Sequence, residues 1–220
     1  EYASKPSMDM LASHALCGTV LNVPTGMVPE SDTANLAIMS YNPKIYSKGR
    51  SPLEAVSLGI KLKDYDTAIR CNLVTLSEDQ TYYEDRIMID HSADEISTEE
   101  ADELTQALNE AMPSPSRKLY TGVSYRHCLI WENASPNYNF SRPHDIIGKR
   151  IGDYLPSPDD GGADFLDYMK TGYDILSKHP VNLKRKARGQ KPANSPWLWS
   201  PGMSPSLPSF TEKWGVSAAV

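Results

Sequence analysis

The sequence predicts an α/β protein, and three observations carry that reading. First, "AIRCNLVTL" (68–76), "RIMID" (86–90) and "TGVSYRHCLIWE" (121–132) have the β-branched and aromatic bias of strands. Second, "STEEADELTQALNEAM" repeats Ala101, Leu104, Leu108 and Ala111 on one helical face, behind a Ser97/Glu100 capping box. Third, strands and helices alternate along the chain instead of falling into separate blocks.

The chain opens with short helices separated by turns. In "VPESDTANLAIM" (28–39), Ser31 and Asp32 stand where a helix begins, followed by Ala34, Leu36, Ala37, Ile38 and Met39. In "RSPLEAVSLGI", Ser51 is placed to cap a helix, with Pro52 at its first position, Glu54 completing a capping box and Gly59 just past its end. The strands and the long helix follow. A second amphipathic helix carries Phe165, Met169, Gly172, Tyr173 and Leu176 and stops at His179-Pro180. "LPSPDDGG" (155–162) is a loop by composition. A basic stretch, "LKRKARGQKPAN" (183–194), reads as a linker. It leads to the apolar strand "WLWS" (197–200), a proline-rich loop, a short helix over 209–214 and a last small-residue strand.

With 220 residues, 40% of them hydrophobic, the chain can bury one large core or two small ones. A net charge of −6 argues against nucleic acid as a partner, although a local arginine cluster can still oppose that sign for a small anion. No apolar run reaches membrane-span length and no secretory signal opens the sequence, so the expected location is cytoplasmic. Cys17, Cys71 and Cys128 are odd in number and lie in apolar surroundings, which predicts buried thiols with no metal-ligand spacing. A start at Glu1 and a stop inside "WGVSAAV" read as a piece of a longer protein.

Four groups have the residue types for chemistry. Ser31 either caps its helix or acts as a nucleophile. A helix N-terminus stabilises a phosphoryl group, but a serine hydroxyl needs a base or a metal ion to react. No G-x-S-x-G elbow surrounds it, which favours a metal. In "SYRHCLI", Tyr125 and His127 share one strand face and Arg126 points to the other. That pattern fits either a core face backed by a wet one or a phosphate or carboxylate contact by Arg126 or His127. "SRPHDIIGKR" offers Arg142 and His144, and the basic stretch offers Arg185 beside His179, Asn182 and Asn194. That last run is either a solvated charge run or an anion contact. No CxxC pair, HExxH, dinucleotide loop or Walker motif is present.

Taken in order, "GMVPESDTANLAIMSYNP", "GRSPLEAVSLGI", "RCNLVTL", "GVSYRHCLI", "RPHDIIG", "HPVN", "KPANSPWLWSPG" and "LPSFTEKWGVSAAV" resemble the archaeal-type cofactor-independent (2,3-bisphosphoglycerate-independent) phosphoglycerate mutases over nearly the whole chain. The resemblance implies a partial alkaline-phosphatase-like core with an inserted α/β domain. On this mapping 1–63 is a first core segment, 64–190 the inserted substrate-binding domain with its return linker, and 191–220 a second, truncated core segment containing the 197–200 strand. It implies two divalent metal ions, manganese, zinc or magnesium, in the full-length protein, and no 2,3-bisphosphoglycerate. Ser31 would be both metal ligand and phosphoryl acceptor, and the other ligands would lie outside this chain. Arg126, His127, Arg142, His144 and Arg185 would hold a small phosphorylated acid. Glu30 stands where the family has glycine, and "DHSADEIS" departs from its usual charge pattern, so no role is given to His91. Two alternatives stay open: a homoserine kinase-like phosphotransferase and a non-catalytic fragment. Oligomeric state is not legible.

Overall fold

The computed structural model describes residues 3–27, 29, 31–47, 49–204 and 207–218, and for Ser31 and Asp32 the backbone only. Contacts divide the chain into two units, 1–47 and 48–220. The sequence boundaries at 63/64 and 190/191 therefore both fall inside the second unit.

The first unit holds α1 (Pro6–His14), α2 (Ser31–Ile38) and α3 (Pro43–Tyr46). No residue of α1 is buried. Helix α2 begins at Ser31 itself, so the serine lies in the first turn and not one residue ahead of it; what its hydroxyl does, cap or otherwise, lies outside the described side chains. Helix α3 is capped by Asn42, whose side chain accepts from Lys44 N at 3.1 Å, the usual role of asparagine at this position. Cys17 is exposed, against the expectation, whereas Cys71 and Cys128 are buried as read.

The second unit is built on a five-stranded sheet: β1 (Asp66–Leu76), β2 (Met88–Asp90), β3 (Arg117–Val123), β4 (Arg126–Glu132) and β5 (Ser195–Met203). Every pairing is antiparallel. β1 is the hub, pairing with β4 from Asp66 to Asn72, with β5 from Thr67 to Val74 and with β2 at its end. All eleven of its residues are buried. The strand at 197–200 thus belongs to the same sheet as 66–76, not to a separate sheet of the chain's two ends. Its apolar run reported burial correctly, but a burial pattern cannot say which neighbour a strand pairs with. Pro196 and Pro201 are tolerated because β5 pairs on one side only among the described residues.

Helix α4 (Ser51–Ser57) also packs on this sheet, with Ala55 buried among Ala68, Cys128 and Ile130. Ser51 does not cap it. Its hydroxyl donates to the Ser200 carbonyl and accepts from Arg70 N, tying α4 to β5 and β1. Gly59 takes φ +76° just past the helix end, the left-handed conformation the sequence implied there. The opposite face is covered by α5 (Thr98–Ala111) and α6 (Ala163–Leu176), which bury Leu104, Leu108, Phe165, Met169 and Leu176.

The run 121–132 is two strands, not one. Ser124 adopts φ +56° and, with Tyr125, makes the two-residue turn of a β3–β4 hairpin. Gly122 is required here, because a Cβ would come within 2.1 Å of the Arg126 carbonyl. The basic stretch is not a linker but α7 (Pro180–Ala187), capped by His179 and buried through Val181, Asn182 and Arg185. Asn182 donates to the Leu176 and Ala193 carbonyls and accepts from Ala193 N, and Asn194 pairs both ways with the Leu76 backbone. Last comes α8 (Phe210–Trp214), closed by Gly215, and no strand follows among the described residues. No helix is long and apolar enough to cross a membrane among the described residues.

Candidate functional site

The α4 side of the sheet carries an unusual polar insertion. Among the apolar Ala68, Ile69, Cys71, Leu73 and Val74 of β1, Arg70 and Asn72 point to the same face, opposite Cys128 and Arg126 of β4. Arg70 is 6% exposed. Its guanidinium lies 4.2 Å from the Trp199 ring and its Nη2 is 2.9 Å from Glu54 Oε1. A buried cation is tolerated when it is both stacked and ion-paired. Glu54 is shared, since Arg50 Nε also reaches its Oε1 at 3.1 Å. Burial lowers the pKa of Arg70, Glu54 opposes that, and Arg50 and Arg126 push it down further. Two guanidinium groups thus share one carboxylate, Arg126 lies near enough to act on Arg70, and the face carries surplus positive charge.

Aromatic and imidazole rings extend this face. Asn72 accepts from Trp199 Nε1 at 2.9 Å and donates to the His91 carbonyl at 3.0 Å. The His91 ring lies 5.6 Å from Tyr125 and 6.2 Å from His144, and His144 lies 5.4 Å from Trp199. Arg126 is exposed, 5.5 Å from the Tyr125 ring. It lines an open cleft of about 170 Å³ with Glu54, Ser57, Leu58, Gly122, Val123, His127 and Cys128. Among the five expected anion contacts, Arg126 and His144 join this constellation with exposed side chains, and His127 borders the cleft from a buried position.

The other three are placed differently. His127 is buried, its Nδ1 accepts from Gly122 N at 3.2 Å, and its Nε2 has no partner among the described residues. Burial pushes its pKa down to about 4, partly opposed by Asp102, so it is neutral and unsuited to hold an anion. Arg142 is exposed and lines a separate hollow with Asp145 and Lys149. Arg185 is 2% exposed, and each guanidinium nitrogen is engaged by the protein: Nε by the Lys191 carbonyl, Nη1 by Glu100 and Nη2 by the Ala93 carbonyl. It holds the fold together and has no nitrogen left without a protein partner. Glu100, expected to complete a capping box, accepts from Arg185 and Arg188 instead, while Ser97 still caps α5.

Sequence reading missed Arg70, Asn72, His91 and Trp199. A signal for the first two was present, an arginine and an asparagine two apart in a strand that should be wholly apolar. His91 gave none, because its loop has an unusual backbone. Ala93, Asp94 and Glu95 all adopt positive φ, between 49° and 54°, which costs roughly 1–2 kcal/mol per residue for side chains with a Cβ.

A model of the family described as 2,3-bisphosphoglycerate-independent phosphoglycerate mutase matches residues 12–182. The chain belongs to that family. It is 42% identical over 220 residues to the mutase of that name from Methanothrix thermoacetophila, covering all of this chain and 53% of the relative. A probable mutase from Geobacter sulfurreducens is 39% identical over 218 residues. Among solved structures, the cofactor-independent phosphoglycerate mutase from Thermoplasma acidophilum superposes with a TM-score of 0.60 at 29% identity, covering 84% of this chain and 49% of that one. The PH0037 protein from Pyrococcus horikoshii gives 0.66 at 25% identity, covering 97% and 48%. This member of the mutase family spans about half the length of the curated relatives it matches. The described residues contain no group of three His, Cys, Asp or Glu side chains placed to hold a metal. One serine is not a metal site, so the residues present do not by themselves fit the expected ions.

Proposed function

We propose that this chain supplies the substrate-holding face and the phosphoryl acceptor of a mutase that interconverts 3-phosphoglycerate and 2-phosphoglycerate through a phosphoserine. The observation that carries the reading is the arginine excess around Glu54, in a member of a family named for this reaction. A phosphoglycerate brings two anionic groups. Arg126 at the open cleft and Arg70 behind it are diagonal neighbours across the β1–β4 ladder, so they can serve a carboxylate and a phosphate on one small molecule. Glu54 fixes the Arg70 guanidinium in orientation, and Trp199 supports its plane. His91 and His144 flank the same face and offer donors as the acid turns. Ser31 would take the phosphoryl group at the start of α2, where free N–H groups and the helix dipole favour negative charge. Any metal ions would be held chiefly by residues outside this chain.

In this reading the phosphatase-like core contributes 1–47. The substrate domain runs from α4 through at least Met203, and 2,3-bisphosphoglycerate takes no part. The working location is the cytoplasm. The test is a coupled assay on a full-length enzyme carrying this chain, with 3-phosphoglycerate and with homoserine plus ATP side by side. Ser31→Ala should abolish turnover, and Arg126→Ala should raise KM for 3-phosphoglycerate by tenfold or more, the loss of one or two charge-assisted hydrogen bonds. Turnover of homoserine alone would replace this reading with the kinase-like one.

A further inference from the structure

The turn that follows His91 does not hold its shape by intrinsic preference. Three consecutive residues with side chains, Ala93, Asp94 and Glu95, take left-handed backbone angles, and such a run persists only where its surroundings determine it. Asp90 accepts from Ser92 N and Oγ at 2.8 Å and from Asp94 N at 3.3 Å. The rest of the support comes from α7 and the residues after it. Arg185 donates to the Ala93 carbonyl at 2.6 Å from a buried position, where Glu100 holds its other arm. Lys191 spans the turn, with its Nζ on Asp90 and Asp94 and its backbone N–H on Asp94 at 2.8 Å. The mouth of this turn is His91, whose carbonyl takes the Asn72 amide and whose ring sits between Tyr125 and His144.

We propose that Arg185 and Lys191 are positioning residues for His91: they clamp the left-handed turn from behind and so fix where the imidazole stands on the substrate face. This rests on the reading of the Arg70–Arg126 face as the phosphoglycerate site. The guanidinium is suited to the task because it reaches a carbonyl, a carboxylate and a second carbonyl in one plane, which a lysine cannot do. The energetic role of the clamp and its effect on the site are separable, because a clamp acting only on stability would leave the chemistry of the folded enzyme alone.

The experiment compares Arg185→Lys, Lys191→Gln, His91→Asn, the double variant Arg185→Lys/His91→Asn, and Arg126→Ala in a full-length enzyme carrying this chain, with kcat and KM for 3-phosphoglycerate and the melting temperature recorded for each. Arg185→Lys should raise KM at least fivefold in the folded enzyme, and Lys191→Gln, which removes the half-exposed ammonium on Asp90 and Asp94, about twofold to threefold. In the His91→Asn background Arg185→Lys should add less than twofold, because the group it positions is gone. Arg185→Lys that lowers the melting temperature while leaving KM within twofold, with Arg126→Ala still defective, overturns the positioning role alone. So does multiplication of the Arg185 and His91 effects. If Arg126→Ala and His91→Asn are both silent, the site reading itself has failed, and the positioning role fails with it.

Discussion

Acidification should destabilise the second unit through His127. Unfolded, this imidazole titrates near its ordinary value of 6.5; folded, burial holds it to about 4. The neutral form is the one the fold accepts, so the unfolded chain binds more protons over that interval. The contribution is fully present above the ordinary value and is lost as pH falls toward 4. Taking both values, the loss between pH 7.5 and 4.5 is about 2.5 kcal/mol. Urea unfolding read by tryptophan fluorescence is the assay, since Trp131, Trp197 and Trp199 all pack in or against the core of this unit. His127→Gln supplies the control. Glutamine can still accept from Gly122 N but does not titrate, so its unfolding free energy should fall about 2.5 kcal/mol less over the same pH span. Equal pH dependence in the two proteins would refute the reasoning. A C2-proton titration midpoint at or above 6.5 would refute it too, and would return His127 to the anion contacts.

Other perturbations read different parts of the fold. Asp90 is held near 2: burial alone would raise it, but hydrogen bonds from Lys191 and Ser92 outweigh that. Its stabilisation is present above its ordinary value of 3.8 and fades as pH falls toward 2, so Asp90→Asn should flatten acid unfolding below pH 4, measured by the same urea series. Gly172→Ala places a methyl 2.4 Å from Pro196 Cγ, where α6 crosses β5. It should cost about 1–3 kcal/mol, seen as a drop in melting temperature. Asn194→Ala strips both hydrogen bonds from the Leu76 backbone and should cost about 1–3 kcal/mol, with faster amide exchange at the end of β1.

Much of this architecture could be read from the chain. The buried face of Ala101, Leu104 and Leu108 and the serine cap at Ser97 survive in α5, although Ala111 at its end is exposed, and the apolar runs at 68–76 and 197–200 are buried strands. What failed depended on long-range partners. Ser51 and Glu54 form a local capping box on paper, but a strand edge and Arg70 lie within reach and compete successfully for both side chains. The charge run at 183–188 resembles a solvated linker because its only near acceptor for Arg185 is a backbone carbonyl, that of Lys191, which leaves no mark in the sequence pattern. Its other acceptors, Glu100 and Ala93, are more than eighty residues away in sequence. Half of the candidate site was equally hidden. Arg126 and His144 were visible as exposed polar residues in motifs, whereas the buried arginine and the imidazole of a left-handed turn matter only once β1, β2 and β5 are assembled.

The pairing of β1 with β5 has a mechanical side. The chain enters the sheet at Asp66 and leaves it at Met203, and those ends are neighbours: Thr67 faces Met203 and Ala68 faces Gly202. Pulling the flanking segments apart would peel β5 away one rung at a time, the compliant direction for an antiparallel pair, instead of shearing all rungs together. The ladder is already irregular between Ala68 and Arg70, and the next rung inward is Arg70 with Trp199. Tension on the connections to the rest of the protein therefore reaches the buried arginine and its indole support after only two rungs.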